Sequence, residues 1–359
     1  MRTPRFALLL AFGLALWPVA SVLAADAADP PKISKPKPVD PSTPTNVLPL
    51  PPAQIDNTLA IGGNDVKAKV VDTRLSVDVQ VNGRGPYHFV VDSGADTSAV
   101  GLRVAHDLEL PLGTPAVVNG MTSRDLVERV KVSQLTLGPT TVHNLELPAL
   151  REYDLGGDGL VGIDALVEQR LMMDFEKKLI KVEDARIPLR ILPGDIVITA
   201  KRKRGQLILT EVRAQRFKLD AVIDTGSEIT IGNSALRDKL IRKGYNKFWE
   251  VEAIGVTGVA VKMQIARIDE LQLGPILLRD VPIAFADVPP FKVFGLANEP
   301  ALLLGTDLLE TFRRVSLDFK ARKVRFQLRR CQQDGIVIST APTDMFTKLS
   351  TNQQEVCLR

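Results

Sequence analysis

Histidine and cysteine are scarce in this chain, with three of the first and two of the second among 359 residues. His88, His106 and His143 stand isolated, and no group of Cys and His has the spacing of a metal site. The sequence holds no His-Glu-x-x-His zinc helix, no Gly-x-Ser-x-Gly nucleophile elbow and no glycine-rich phosphate loop. Neither a metal nor an organic cofactor is therefore expected. Aromatic residues make up only 5% of the chain, and the formal charge is a modest +4. With no zinc-finger or aromatic–basic pattern either, nothing points to a nucleic-acid partner. The basic runs Lys201-Arg202-Lys203-Arg204 and Arg313-Arg314 read as turns or solvated faces.

The long hydrophobic run Phe6–Trp17 sits at the start of the chain. It follows Arg2 and Arg5 and gives way to Ala20-Ser21-Val22-Leu23-Ala24-Ala25, the order of a secretory signal with cleavage after Ala24. The run is short for a permanent span, although a retained anchor is the alternative. No Cys stands at the junction to take a lipid. Residues 1–24 are thus assigned as a signal peptide, and the mature protein is expected to be periplasmic or secreted, without a stable membrane span.

Proline is plentiful where order is least expected. Residues 25–67 carry Pro36-Lys37-Pro38 and Pro49-Leu50-Pro51-Pro52 with little apolar content, the composition of a tether. Beyond residue 330 periodicity fades into a tail, 331–359, that holds both cysteines, Cys331 and Cys357. Export would permit them to pair; two free thiols are the alternative.

Between these ends the chain repeats itself. Phe89-Val90-Val91-Asp92-Ser93-Gly94-Ala95 is matched 132 residues later by Ala221-Val222-Ile223-Asp224-Thr225-Gly226-Ser227. Leu135-Thr136-Leu137-Gly138-Pro139 is matched by Leu271-Gln272-Leu273-Gly274-Pro275, and Leu160-Val161-Gly162 by Leu303-Leu304-Gly305. Met173-Asp174-Phe175 finally returns as Leu317-Asp318-Phe319. Four elements in one order, in two long units, indicate a duplicated domain rather than a solenoid. Arg74–Val79 alternates as a half-buried strand, and Asn82-Gly83 marks a hairpin turn before Tyr87–Val91. Gln206–Val212 and Phe217–Ile223 repeat that pattern. Short helices are expected at Val100–Leu108, at Ser234–Arg242, and after Gly162 and Gly305. The fold class is all-β, with two homologous lobes at residues 68–190 and 191–330 and a cleft between them.

An aspartate after a buried strand can simply cap a turn. Two in duplicated units suggest a facing pair that shares one proton, with one macroscopic pKa raised and the other lowered. Such a pair suits peptide hydrolysis: the ionised member takes a proton from water while the protonated member polarises the scissile carbonyl. Two carboxylates could also hydrolyse glycosides, but those sites need no symmetric Asp-hydroxyl-Gly turns.

On Asp92-Ser93-Gly94-Ala95, Asp224-Thr225-Gly226-Ser227 and the two later glycines, the chain resembles the aspartyl proteases of the bacterial retropepsin-like kind, repeated in one polypeptide. The resemblance covers roughly residues 70–328 and implies acid-protease-like β-barrel lobes and an endopeptidase acting on a peptide or protein substrate. It implies that Asp92 and Asp224 are the dyad. Ser93, Gly94, Ala95, Thr225, Gly226 and Ser227 would support the loops, with Gly162 and Gly305 threading behind them. It also implies β-hairpin flaps, for which Asn119, Gly120 and Met121 in the first unit and Gly255, Thr257 and Gly258 in the second are the candidates. The first lacks the tyrosine of the eukaryotic two-lobed relatives. A monomer with its lobes paired internally is expected over pairing between chains, because the intramolecular arrangement costs less entropy. The competing function is an exported, non-catalytic peptide-binding protein that keeps the acidic loops as turns.

Overall fold

The computed structural model describes residues 32–40, 64–67, 69–71, 74–138, 140–166, 169–185, 194–240, 248–329 and 337–340. Strands dominate, and the short helices fall close to where the sequence places them: Leu102–Asp107, Ile163–Leu166, Ser234–Leu240 and Thr306–Leu309. Two further short helices, Glu152–Leu155 and Pro289–Val293, follow the last long strand of each lobe. Among the described residues no helix is long and apolar enough to cross a membrane.

Each lobe is a sheet closed on itself. In the first, Arg74–Val81 pairs with Arg84–Val91, and a type I′-like turn at Asn82-Gly83, both with positive φ, joins them. Val77, Val79 and Val81 point into the core while Asp78 and Gln80 face solvent, the alternation expected of a half-buried strand. The sheet closes where Val79–Val81 meets Leu135–Leu137. In the second lobe Gln206–Ala214 pairs with Phe217–Ile223 on one side and closes on Leu271–Leu273 at the other. Its turn lies at Gln215-Arg216, with Gln215 carrying the positive φ.

In both lobes the strand that leads into an acidic loop has a parallel neighbour ending in the repeated glycine element. Gly159–Val161 lies beside Phe89–Val91, and Ala301–Leu304 beside Asp220–Ile223. Apart from the half-buried Asp220, these segments are apolar and buried, as parallel strands covered on both faces must be.

A six-stranded sheet joins the lobes, in the order Asp195–Lys203, Lys323–Gln327, Arg314–Asp318, Gln169–Asp174, Leu179–Asp184, Asn64–Lys67. Its central pair crosses from one half of the sequence to the other, with Met172 opposite Ser316 at the middle. Arg170 opposes Asp318 and Asp174 opposes Arg314, one pair on each side of that centre. Both pairs are ion pairs, so the repeated Arg-x-x-x-Asp spacing serves the joint itself. The Arg313-Arg314 run is therefore no solvated face: Arg314 binds the fully buried Asp174, and Arg313 binds Glu176.

Part of the proline-rich stretch is also strand. Asn64–Lys67 forms the outer edge of the joining sheet, and Lys37–Pro38 pairs with Arg124–Val127. Proline is compatible with an edge strand because only one side of the backbone must donate. In the tail, Val337–Thr340 pairs with Ile276–Arg279. Cys331 and Cys357 lie outside the described residues, as do Met1–Ala24.

Candidate active site

The two acidic loops meet at the lobe boundary and hold each other through their hydroxyls. The Ser93 amide donates to Thr225 Oγ1 at 2.9 Å, and the Thr225 amide donates to Ser93 Oγ at 3.2 Å. Each hydroxyl then donates to a carbonyl of the opposite lobe, Ser93 Oγ to Ile223 O at 3.0 Å and Thr225 Oγ1 to Val91 O at 2.8 Å. These four bonds are buried and form a closed, nearly symmetric set. Neither Ser93 nor Thr225 could be replaced by an apolar residue without leaving a partner unsatisfied.

The set fixes the positions of the two carboxyls. Asp92 Oδ1 accepts the amides of Gly94 and Ala95 at 2.8 and 3.0 Å. Asp224 Oδ1 accepts those of Gly226 and Ser227 at 3.1 and 3.2 Å. Each glycine lies against the other lobe's aspartate. A Cβ on Gly94 would fall 2.6 Å from Asp224 Cγ, and one on Gly226 would collide with the Asp92 carboxyl. Only a residue without a side chain permits that approach.

Asp224 is 6% exposed, whereas Asp92 is less deeply buried. Burial lifts the Asp224 carboxyl well above the usual carboxylate range, and the Asp92 charge and a hydrogen bond with Asp92 push the same way. The Gly226 and Ser227 amides oppose the rise but do not cancel it. Burial is thus the leading cause of the rise, with the neighbouring like charge of Asp92 second.

A sequence model of the aspartyl proteases matches residues 77–165 and again residues 211–308, together just over half of the chain. The chain belongs to the aspartyl protease family. Each matched stretch carries one acidic loop and one later glycine element. No curated protein matches the chain.

Within this duplicated member of the aspartyl protease family, each loop is braced from behind by a repeated hydroxyl–aspartate pair that the sequence pattern did not bring forward. Six residues after each aspartate stands a hydroxyl, and two residues after each later glycine stands another aspartate. Ser98 Oγ donates to Asp164 at 2.7 Å and accepts the Gly162 amide at 3.0 Å. Thr230 Oγ1 donates to Asp307 at 2.7 Å and accepts the Gly305 amide at 3.1 Å. Gly162 and Gly305 run directly against the loop backbone, where a Cβ would lie 2.6 Å from Thr97 C and 2.5 Å from Ile229 C. Burial pushes the Asp164 carboxyl up to about 6 and also raises Asp307, against the bonds from Ser98 and Thr230.

A cavity of about 160 Å³ opens in front of the two carboxyls. Its first-lobe wall is aliphatic, from Ala99, Leu150, Leu155 and Leu160, and its second-lobe wall carries Pro290, Val293 and Phe294. The helix Pro289–Val293 and its C-cap Phe294 supply that second wall, a role no motif in the sequence marks. Arg204, at the end of the basic run, reaches across the boundary to Asp96 at 2.7 Å, and Gln206 Nε2 donates to the same carboxylate and to Gly94 O. Lys201 and Arg202 are exposed, so the run is solvated at its start and part of the cleft at its end.

Both candidate flaps are hairpins over the cavity. Ala116–Asn119 pairs with Arg124–Val127, and Trp249–Ile254 pairs with Ala260–Ile265. Asn119, Gly120 and Met121 line the cavity from the first tip, and Val256 lines it from the second. Gly255, Thr257 and Gly258 form the second tip, where the Gly258 amide donates to Gly255 O at 2.8 Å. His88 and His106 contact exposed aspartates away from this cleft. Among the described residues no group of His, Cys, Asp or Glu could hold a metal ion.

Proposed function

We propose that this protein is an aspartic endopeptidase whose Asp92 and Asp224 activate a water for attack on a peptide bond. Asp224 carries the shared proton, as its raised pKa favours, and Asp92 is the base. Asp92 takes a proton from the water while Asp224 donates toward the carbonyl oxygen, giving a tetrahedral diol. Proton return to the nitrogen then expels the amine, and no acyl-enzyme forms. The observation that carries this reading is the reciprocal approach of Gly94 to Asp224 and Gly226 to Asp92, which leaves the two carboxyls side by side.

The opening residues support an exported enzyme, released into the periplasm or beyond after cleavage near Ala24. Apolar walls on both sides of the cavity support a substrate that offers apolar side chains around the cut. The test is cleavage of a diverse peptide set by residues 25–359 across roughly pH 3–8, beside Asp92→Asn and Asp224→Asn. Loss of cleavage in both folded variants supports the dyad; cleavage that survives both overturns it. Peptide binding without cleavage in the unaltered protein would favour a non-catalytic binder instead.

A further inference from the structure

The two hairpin tips touch each other through hydroxyls. Ser123 Oγ lies 2.6 Å from Thr257 Oγ1 and 2.5 Å from Asp125 Oδ2. A carboxylate can only accept, so the Ser123 proton goes to Asp125 and Thr257 supplies the proton between the hydroxyls. The result is a directed chain, Thr257 to Ser123 to Asp125, that runs from the second flap into the first. Asp125 is 1% exposed, which removes the water that would otherwise compete for its bond with Ser123.

Three further contacts set the tips in place. Met121, from the first tip, packs on the apolar cluster of the second lobe, while Val256, from the second tip, packs on that of the first lobe. Gly255 lies so close to Thr122 that a Cβ there would collide with Thr122 Oγ1. Each flap therefore closes over the opposite half of the cavity.

The outer edge of the first flap is covered as well. Lys37 and Pro38 lie opposite Leu126 and Asp125, and the Val39 amide donates to Arg124 O at 2.9 Å. Arg124 returns a bond to Asp40 O at 3.4 Å, and Ile33 packs on the main core. A two-stranded hairpin is marginal alone, and a third strand is the ordinary way to stiffen one. The strand added here comes from the segment before the first lobe and covers the stretch that carries Asp125.

We propose that Ser123, Asp125 and Thr257 form a latch that holds both flaps closed over the Asp92–Asp224 pair, with residues 37–39 as its brace. The three latch side chains are positioning residues, since none lies against the acidic loops. This role rests on the proteolytic reading for its kinetic effect but not for its structural one. Substrate binds productively only when the flaps are closed, so opening them lowers apparent affinity by the closed fraction. Bound substrate closes them again, so the chemical step is spared. Release of residues 37–39 from the flap edge would loosen the latch, giving the N-terminal segment control over entry to the cleft.

The experiment is hydrogen–deuterium exchange over residues 116–127 and 249–260 of the full chain, with peptide kinetics alongside. The variants are Ser123→Ala, Ser123→Thr, Thr257→Ala, the Ser123→Ala/Thr257→Ala double variant, and Val39→Pro. Ser123→Ala and Thr257→Ala should each speed exchange in both segments by roughly tenfold, and the double variant no further. KM should rise by the same factor with kcat unchanged, and Ser123→Thr should behave as the unaltered chain. Val39→Pro, which removes the amide bonded to Arg124 O, should speed exchange in residues 116–127. Exchange confined to the mutated flap, or additive effects in the double variant, would overturn the latch. Unchanged exchange at 116–127 in Val39→Pro would overturn the brace. If the unaltered chain proves inactive, the proteolytic reading falls and the exchange results alone judge the latch.

Discussion

Arg170 of the first half donates to Asp318 of the second at 3.0 Å, and both side chains are 4% exposed. Its counterpart, Arg314 with Asp174, mirrors it across the joining sheet. Buried ion pairs of this kind are costly to break from one side, because the remaining charge stays in a dry place without a partner. Arg170→Ala should therefore destabilise the protein by about 3–5 kcal/mol, read as a fall in the urea midpoint. The paired change Arg170→Leu/Asp318→Leu should recover most of that loss. A single variant with an unchanged midpoint would show that the pair is not the clasp its burial implies.

Asp92→Asn and Asp224→Asn should each lower kcat by about 10²–10⁴-fold. They should differ in stability. The folded-state pKa of Asp224 lies above its unfolded value, so its contribution is intact at low pH and is lost as pH rises through the folded pKa. At neutral pH Asp224→Asn removes that penalty, so its melting temperature should exceed that of the unaltered chain. Melting curves at pH 4 and pH 7.5 test the sign: the gap between variant and parent should widen at the higher pH.

Asp164 gives a second handle on pH. Its carboxyl titrates at about 6 in the fold, against an ordinary value of 3.8. Between these values the folded state holds a proton that the unfolded state has released, so stability falls as pH rises from about 4 to 6 and then levels. The penalty is on the order of 2 kcal/mol once partial solvent access is allowed for. Asp164→Asn keeps an acceptor for Ser98 and should flatten that part of the stability–pH curve. A slope that persists in the variant would assign it to another group.

Gly226→Ala places a methyl group against the Asp92 carboxyl. The loops must separate to admit it, at a cost of about 1–3 kcal/mol. Displacing the pair should lower kcat by about a hundredfold while each lobe keeps its strand content by circular dichroism. Full activity in this variant would mean that the loops do not approach in solution as they do here.

The duplicated loops and the glycine elements were legible because each is a local string written twice, whereas the hairpin tips, which share no such string, followed only from the family resemblance. Asn82-Gly83 was legible for a different reason, as a turn whose chemistry is contained in two residues. The joining sheet was not. Nothing near Arg170 marks a partner 148 positions away, and Arg314 beside Arg313 has the look of a solvated basic pair. The brace at residues 37–39 was hidden by composition, since prolines that suit an edge strand equally suit a tether. The second wall of the cavity depends on Pro289–Val293, whose dipeptide Pro289-Pro290 signals a turn rather than a helix start. The hydroxyl–aspartate braces at Ser98 and Thr230 could have been found, because their spacing from the loops is the same in both halves.

The joining sheet has a consequence for how this molecule can be divided and how it can change. Its central hydrogen bonds run between the halves rather than along the chain, so the two halves recognise each other independently of the covalent link between them. Made as separate polypeptides, they would be expected to associate as a heterodimer through that seam. Fusion then adds a freedom that identical subunits lack. A substitution near Asp224 need not be repeated near Asp92, so each carboxyl can acquire its own surroundings, and the deeper burial of Asp224 is one such divergence already in place.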